Sequence, residues 1–332
     1  MTSRSFPRGR WLALPGTIAL AAAGALGGSA ARATTEPPPA TDATTEVDRT
    51  DWPDSLTLAA VPGEESTALE QRYDTVISVL VEDLGLEIEV FEATDYAGVI
   101  ESMIAGDVDI ANFGPFSYVI AVANGAHVAP IASMVTSPDA EPGYLSYGIT
   151  RADNDEINSI EDFAGRNICF VDPGSTSGFL YPSAGLLDAG IDPETDVTPV
   201  FAGGHDASVI SVANGDCDAG FAFDTMVDTQ LVESGDIDAG EIKVVWESPM
   251  IVGGPMTINT DLPQSLQDEI SRIILEELNV DSLVERGMCT DVETCVINDD
   301  ETSWGYIAVD DALYDSVRAV CATTQAEACG AA

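Results

Sequence analysis

Three consecutive hydroxyls, Ser175, Thr176 and Ser177, stand in the run VDPGSTSGFLYP, after the breaker Asp172-Pro173-Gly174 and before an apolar stretch that reads as a helix over residues 179–187. One Ser or Thr is enough to cap a helix. Three in a row at a helix start add hydroxyl donors to unpaired N–H groups and a partial positive charge, which makes a compact oxyanion site that needs no Lys or Arg. Tyr96 and His205 share a second pattern: each lies ten residues before a Gly-Asp-x-Asp stretch, at Gly106 and Gly215, that leads into an apolar strand. Both are therefore expected at helix starts in two similar α/β lobes, just beyond strand C-termini, where open sheets bind ligands. Two such lobes facing each other put a phenol and an imidazole on opposite walls of one cleft.

Other chemistries find less in the residues. No Gly-x-x-x-x-Gly-Lys-Ser/Thr stretch is present, and GSTSG carries Thr176 where a nucleophile elbow needs Ser. The acidic stretch 153–161 lacks the Gly of a calcium loop and reads as solvated surface. Cysteine and histidine spacings suited to zinc are missing. A Ser175, His205 and Asp206 triad is the remaining catalytic arrangement; the expectation is a non-enzymatic site with neither metal nor cofactor. His127 is expected at the start of a strand, with no role in the site.

The elements that must position these groups alternate. Strands are expected over residues 56–60, 86–91, 108–113, 128–134, 144–150, 166–171, 197–201, 217–223 and 243–246. Helices are expected over 64–84, 95–105, 116–124 and 206–213, from Thr225, and near 263–279 and 310–320. Short loops between such elements predict α/β units with largely parallel sheets.

Composition sets the outer limits. A chain of 332 residues with 45% hydrophobic content can build two cored domains. Its 57 Asp+Glu against 12 Lys+Arg, of which Lys243 is the sole lysine, make nucleic acid and anionic membrane poor partners and point to adaptation to high salt. Arg4, Arg8 and Arg10 precede an apolar run at 11–26, and Ala31-Arg32-Ala33 offers a small-x-small cleavage site. An export signal is therefore expected over 1–33, followed by a disordered tether rich in Pro, Thr and acids over 34–54. Export turns the six cysteines into disulfide candidates. Several connectivities are open. The favoured set joins Cys289 with Cys295, Cys321 with Cys329, and Cys169 with Cys217, the last two placed in predicted strands.

The segments DYAGVIESM (95–103), FGPFSYVIA (113–121), GYLSYGI (143–149), DPGSTSGFLYP (172–182) and GGHDASVISVANGDCDAG (203–220) resemble, in order and spacing, the phosphate, phosphite and phosphonate substrate-binding proteins of ABC importers. The likeness covers roughly residues 55–260, and STSGFLYP is its most specific part. It implies a type II periplasmic-binding-protein fold, with a discontinuous first lobe (55–146 and 247–332) and a second lobe (147–246). Two crossing strands near 144–150 and 243–251 would form the hinge. It implies Ser175, Thr176, Ser177, Tyr96, Tyr144 and His205 as oxyanion ligands, with Gly114, Ser117 and Asp224 as further candidates. The function implied is that of an exported monomer, periplasmic or at the cell surface, which hands a small phosphorus oxyanion to an ABC permease. The alternative is a sensor or scavenger that uses the same clamp for this or another oxyanion, such as a sulfonate. Members that take aminoalkyl phosphonates use acidic residues near Phe223 and before the proline of the second crossing. Gly254 stands at the latter place, which favours phosphite, phosphate or methylphosphonate. Many relatives carry a lipidated cysteine after the signal, where Ser29 stands here, so residues 11–26 are expected either to be removed or to stay as an anchor.

Overall fold

The computed structural model describes residues 47–63, 69–298, 303–326 and 329. The expected export signal and the tether up to residue 46 lie outside them. The chain runs through β1 (Ser55–Ala60), α1 (Leu69–Arg72), α2 (Asp74–Leu84), β2 (Glu87–Phe91), α3 (Tyr96–Ala105), β3 (Ile110–Asn112), α4 (Pro115–Ala123) and β4 (Val128–Val135). It crosses by β5 (Gly143–Tyr144) into β6 (Ser146–Arg151), β7 (Asn167–Phe170), α5 (Tyr181–Asp188), β8 (Thr198–Phe201), α6 (His205–Asn214), β9 (Ala219–Phe223), α7 (Leu231–Ser234) and β10 (Ile242–Glu247). The return by β11 (Ile251–Val252) leads to β12 (Pro255–Asn259), α8 (Gln264–Glu276), α9 (Val280–Glu285), β13 (Gly305–Ala308) and α10 (Asp315–Thr324).

The described strands form one sheet in the order β13-β4-β12-β3-β1-β2 and another in the order β10-β6-β9-β7-β8. β5 and β11 pair only with each other, Tyr144 opposite Ile251 and Gly143 opposite Val252, so two antiparallel strands link two α/β lobes. Periodicity explains how each sheet is covered. In α2, Val76, Val79, Leu80 and Leu84 are buried on one face, and in α8 Leu266, Ile270, Ile273 and Ile274 are. These two helices share a core with Leu56, Leu58 and Ile110 on one side of the first sheet. The other side packs α3, α4 and α10 around Val99, Phe113, Phe116, Tyr118 and Tyr314.

The repeated Gly-Asp-x-Asp stretches do the same work in both lobes. Gly106 and Gly215 end α3 and α6 in the left-handed region, at φ 79° and 80°, where a side chain would be strained. The second aspartate of each stretch then clamps the neighbouring strand. Asp109 N donates to Thr57 O while Asp109 Oδ2 accepts from Thr57 N, both close to 3 Å at 2.9 and 2.8 Å. Asp218 does the same with Asn167, at 2.9 Å in each direction. Register is thereby fixed at equivalent places, and α3 and α6, ten residues each, run from their starts to these clamps.

Several expectations are corrected. The sheets are mixed, not largely parallel: β1–β2, β1–β3, β7–β8 and β7–β9 are parallel, whereas β3–β12, β4–β12, β4–β13, β6–β9 and β6–β10 are antiparallel. The cause is the crossings, which lay returning strands beside their neighbours in the opposite direction. The helix expected over 64–84 is interrupted at Tyr73, and residues 64–68 lie outside the described residues. The crossing expected over 144–150 is confined to β5, because β6 belongs wholly to the second sheet. The tether is not free over its described end: Arg49 donates to Leu84 O at 2.7 Å and Trp52 Nε1 to Ser265 Oγ at 3.0 Å, with the Trp52 ring packed on the core. Cys217 lies two residues before β9, outside the strand.

The disulfides are Cys169–Cys217, Cys289–Cys295 and Cys321–Cys329. The first closes 48 residues and the second 6, so chain entropy gives them about 4 and about 2 kcal/mol respectively. Urea unfolding of Cys169→Ala/Cys217→Ala and of Cys289→Ala/Cys295→Ala should show the larger loss in the former. Equal losses would contradict the loop-entropy account.

Candidate functional site

The hydroxyl triplet owes its geometry to the turn after β7. Asp172 Oδ1 accepts from Gly174 N at 2.6 Å, and Asp172 O accepts from Ser175 N at 2.9 Å, which turns the chain sharply. Ser175 caps the helix, its Oγ accepting from Gly178 N at 3.0 Å. The first turn, Thr176–Leu180, is a wide π turn in which Leu180 N reaches Ser175 O at 3.0 Å, and α5 continues from it. The helix therefore starts at Thr176, three residues before the expected start. Gly178 is what permits the wide turn: a Cβ there would run into the Val171 side chain and stand 2.8 Å from Ser175 Oγ. The N–H groups of Thr176 and Ser177 belong to the opening turn, which has no intrahelical partner for them.

Every oxyanion-ligand candidate except Ser117 lines one cleft of about 450 Å³ between the lobes. Ser175, Thr176 and Ser177 are buried, as are Tyr96 and His205. Thr176 Oγ1 accepts from Phe116 N at 2.8 Å, so the start of α4 in the first lobe touches the triplet of the second. Gly114 caps α4, and its missing side chain leaves room beside Thr176 Oγ1, which a Cβ would approach to 3.3 Å. Ser117 instead donates to Gly114 O at 2.9 Å and supports the cap. The Tyr96 phenol lies beside Ser175, and the Tyr144 phenol beside Thr176 and Ser177, where each interacts with these hydroxyls. Burial pushes both phenols above their usual range, so they remain proton donors. Ser146 Oγ donates to Ser177 O at 2.6 Å and fixes the triplet from behind.

His205 is the first residue of α6, as Tyr96 is of α3. Its N–H donates to Gly63 O at 3.0 Å, a second bridge between the lobes. Phe223 N donates to Nδ1 at 3.3 Å, and Nε2 lies 3.3 Å from Ser175 Oγ. Burial holds the imidazole neutral, its pKa lowered to about 3. With Nδ1 accepting, the ring proton sits on Nε2 and points at Ser175. His205 is thus a donor to the hydroxyl cluster, and a base for Ser175 would need the opposite tautomer. His127 is remote and exposed, paired with Asp261 at 2.8 Å.

Asp224 lines the cleft, with Oδ2 accepting from Leu145 N and Oδ1 from Thr225 N, each at 3.1 Å. Desolvation raises its pKa against the pull of these N–H groups. Gly254 also lines the cleft, and a Cβ there would stand 2.5 Å from Phe113 O, so no acidic side chain fits. Among the described residues no group of three or more His, Cys, Asp or Glu could hold a metal ion. Sequence reasoning missed Arg72, Tyr73, Asn112 and Gln230, which also line the cleft. Arg72 and Tyr73 sit within the expected 64–84 helix without any motif. The Asn112 Nδ2–Tyr73 Oη hydrogen bond of 2.6 Å joins residues far apart in the chain.

Fold and site together define a class, the two-lobed solute-binding proteins that enclose a small ligand between lobes. Residues 58–286 match the family described as ABC transporter, phosphonate, periplasmic substrate-binding protein, and the chain belongs to that family. It is 48% identical over 285 residues to the Phosphate-import protein PhnD of Mycolicibacterium smegmatis, covering 84% of this chain and 88% of that protein. It is 30% identical over 222 residues to the Phosphonates-binding periplasmic protein of Escherichia coli, covering 65% of this chain and 64% of that one. The structure of PhnD1 from Prochlorococcus marinus in complex with methylphosphonate shares the type II fold, with a TM-score of 0.70 and 20% identity over 82% of this chain and 98% of that chain. No helix of the described residues is long and apolar enough to cross a membrane. As a member of a periplasmic family the chain works outside the cytoplasm.

Two outcomes follow from the site. The unfolded imidazole binds a proton below pH 6.5 that the folded one refuses until about 3, so His205 lowers stability as the pH falls through that window. Between pH 7 and pH 5 its share is about 2 kcal/mol, and His205→Gln should be spared that loss in urea unfolding. Thr176→Ala should weaken ligand binding roughly ten- to hundredfold by calorimetry. A change within about twofold would remove Thr176 from the site.

Proposed function

We propose that this chain binds one small phosphorus oxyanion in the interlobe cleft and presents it to an ABC permease without chemical change. Phosphate, phosphite and methylphosphonate are the candidates. The observation that carries this reading is the convergence of neutral donors. Three hydroxyls, two phenols and the starts of α3, α4, α6 and the turn before α5 meet in one cleft. Such a donor set suits a compact anion with several oxygens. The proton on His205 Nε2 argues against a serine nucleophile, and the relatives are named as a phosphate-import protein and a phosphonates-binding periplasmic protein. The block at Gly254 disfavours an amine-bearing substrate.

In this reading the export signal over 1–33 delivers a monomer to the outside. The lobes, 55–146 with 247–332 and 147–246, move as rigid bodies about the β5–β11 pair. The bridges Phe116 N to Thr176 Oγ1 and His205 N to Gly63 O belong to the closed arrangement. A ligand that touches both lobes favours that arrangement by its differential affinity. Calorimetry against phosphate, phosphite, methylphosphonate, 2-aminoethylphosphonate and sulfate in molar KCl is expected to give saturable 1:1 binding for at least one of the first three. X-ray scattering with that ligand should show compaction. Absence of binding to all three would overturn the reading, and identical scattering at saturation would overturn the hinge.

A further inference from the structure

The oxyanion donors leave much of the cleft unassigned. Its volume of about 450 Å³ falls within the roughly 300–1,000 Å³ of pockets that enclose organic ligands, far more than one tetrahedral oxyanion fills. Strand ends of the first lobe supply part of its wall. There β1, β3 and β4 run in the same direction, since β1 and β3 are parallel and β12 is antiparallel to both β3 and β4. Their C-terminal ends therefore open together on the cleft, which Val61, Asn112 and Thr136 line. Arg72, the last residue of α1, lines it from the same lobe, as do Tyr73 and Asn298.

The chemistry of this wall is that of donors. Asn112 Nδ2 donates to Tyr73 Oη at 2.6 Å, which fixes both side chains, and the amide nitrogen carries a second N–H. Arg72 is the only Lys or Arg among the described residues that line the cleft. It already interacts within the chain, but a guanidinium holds several N–H donors in a fixed fork and can serve a ligand as well. A Cβ on Gly63 would stand 3.5 Å from Arg72 Nη2, and the glycine keeps that space open. Burial raises the pKa of the Tyr96 phenol and the Arg72 charge opposes that rise, so the guanidinium acts beside the oxyanion donors. Among the described residues no Asp or Glu of the first lobe lines the cleft, and Gly254 leaves no room for one.

We propose that Arg72, Asn112 and Thr136 form a second subsite that binds a carboxylate on the ligand's substituent, so that the cleft takes carboxyalkyl phosphonates. The phosphonate sits on the hydroxyl cluster and the carboxylate on the first lobe. The inference rests on the reading of the cleft as a phosphorus-oxyanion site, and it names a substrate class for that site. An Arg fork meets a carboxylate with two parallel N–H···O bonds. An ammonium on the same substituent would meet donors and a like charge.

The test is calorimetry of the chain in molar KCl at pH 7 with methylphosphonate, phosphonoacetate and 2-aminoethylphosphonate. Wild type should bind phosphonoacetate about tenfold or more tighter than methylphosphonate. Arg72→Gln should weaken phosphonoacetate at least about tenfold more than it weakens methylphosphonate, and Arg72→Lys should restore part of the difference. Thr136→Glu, at an exposed position, sets a carboxylate against the subsite and should lower the same ratio, which keeps the test open if Arg72→Gln fails to fold. Equal affinities for phosphonoacetate and methylphosphonate in wild type, or a ratio unchanged within about twofold in both Arg72→Gln and Thr136→Glu, would overturn the subsite while leaving oxyanion binding intact. Tighter binding of 2-aminoethylphosphonate than of phosphonoacetate would also overturn it. No binding of any phosphorus compound by wild type would instead fail the underlying function.

Discussion

Thr176 accepts a hydrogen bond from Phe116 N at 2.8 Å, and much of the molecule is arranged so that this contact can form. It joins the start of α4 in one lobe to the opening turn before α5 in the other. The starts of α3 and α6 arrive at the same cleft through Tyr96 and His205. A helix start brings unpaired N–H groups and partial positive charge, and several such starts facing one space give an anion many short-range partners. The cost is that these groups must be held apart from each other and oriented. The Asp109 and Asp218 clamps, the Gly178 wide turn and the Ser146–Ser177 bond provide that restraint.

Neutral donors also fit the charge of the chain. The chain carries a net charge of −45, and most of the described Lys and Arg are engaged with carboxylates. Arg272 meets Glu269, Glu276 and Glu277, and Arg286 meets Glu82, Asp83 and Glu277. Arg318 meets Asp311 and Asp315. The exposed pairs among them add little stability one by one, but they relieve local repulsion, whereas Arg286–Asp83 is half-buried. Arg72 alone among the described arginines lines the cleft, so attraction there rests mainly on groups whose strength is local and poorly screened.

The legible parts of the sequence were those in which one residue type serves one physical need. Consecutive hydroxyls before an apolar run marked the opening turn that lines the cleft. The paired Gly-Asp-x-Asp stretches placed Tyr96 and His205 at helix starts, because left-handed caps and strand clamps need those residues wherever they occur. The lost parts depend on packing between distant segments. Nothing local announces that Gly178 opens a π turn, since its reason is the Val171 side chain. Strand direction was misread because β12 and β10 return from crossings whose geometry no period of two can show. Gln230 and Arg72 became cleft residues only when the lobes were brought together.

The central claim is that short-range neutral donors hold the anion while the surface charge acts only at a distance. Stopped-flow binding of phosphate across a KCl series from about 0.1 to about 3 M separates the two, because screening acts on approach far more than on a closed cleft. The account predicts an association rate that rises with salt and a dissociation rate that stays nearly constant. A dissociation rate that climbs steadily with salt would show a screened charge pair holding the ligand, and would contradict it.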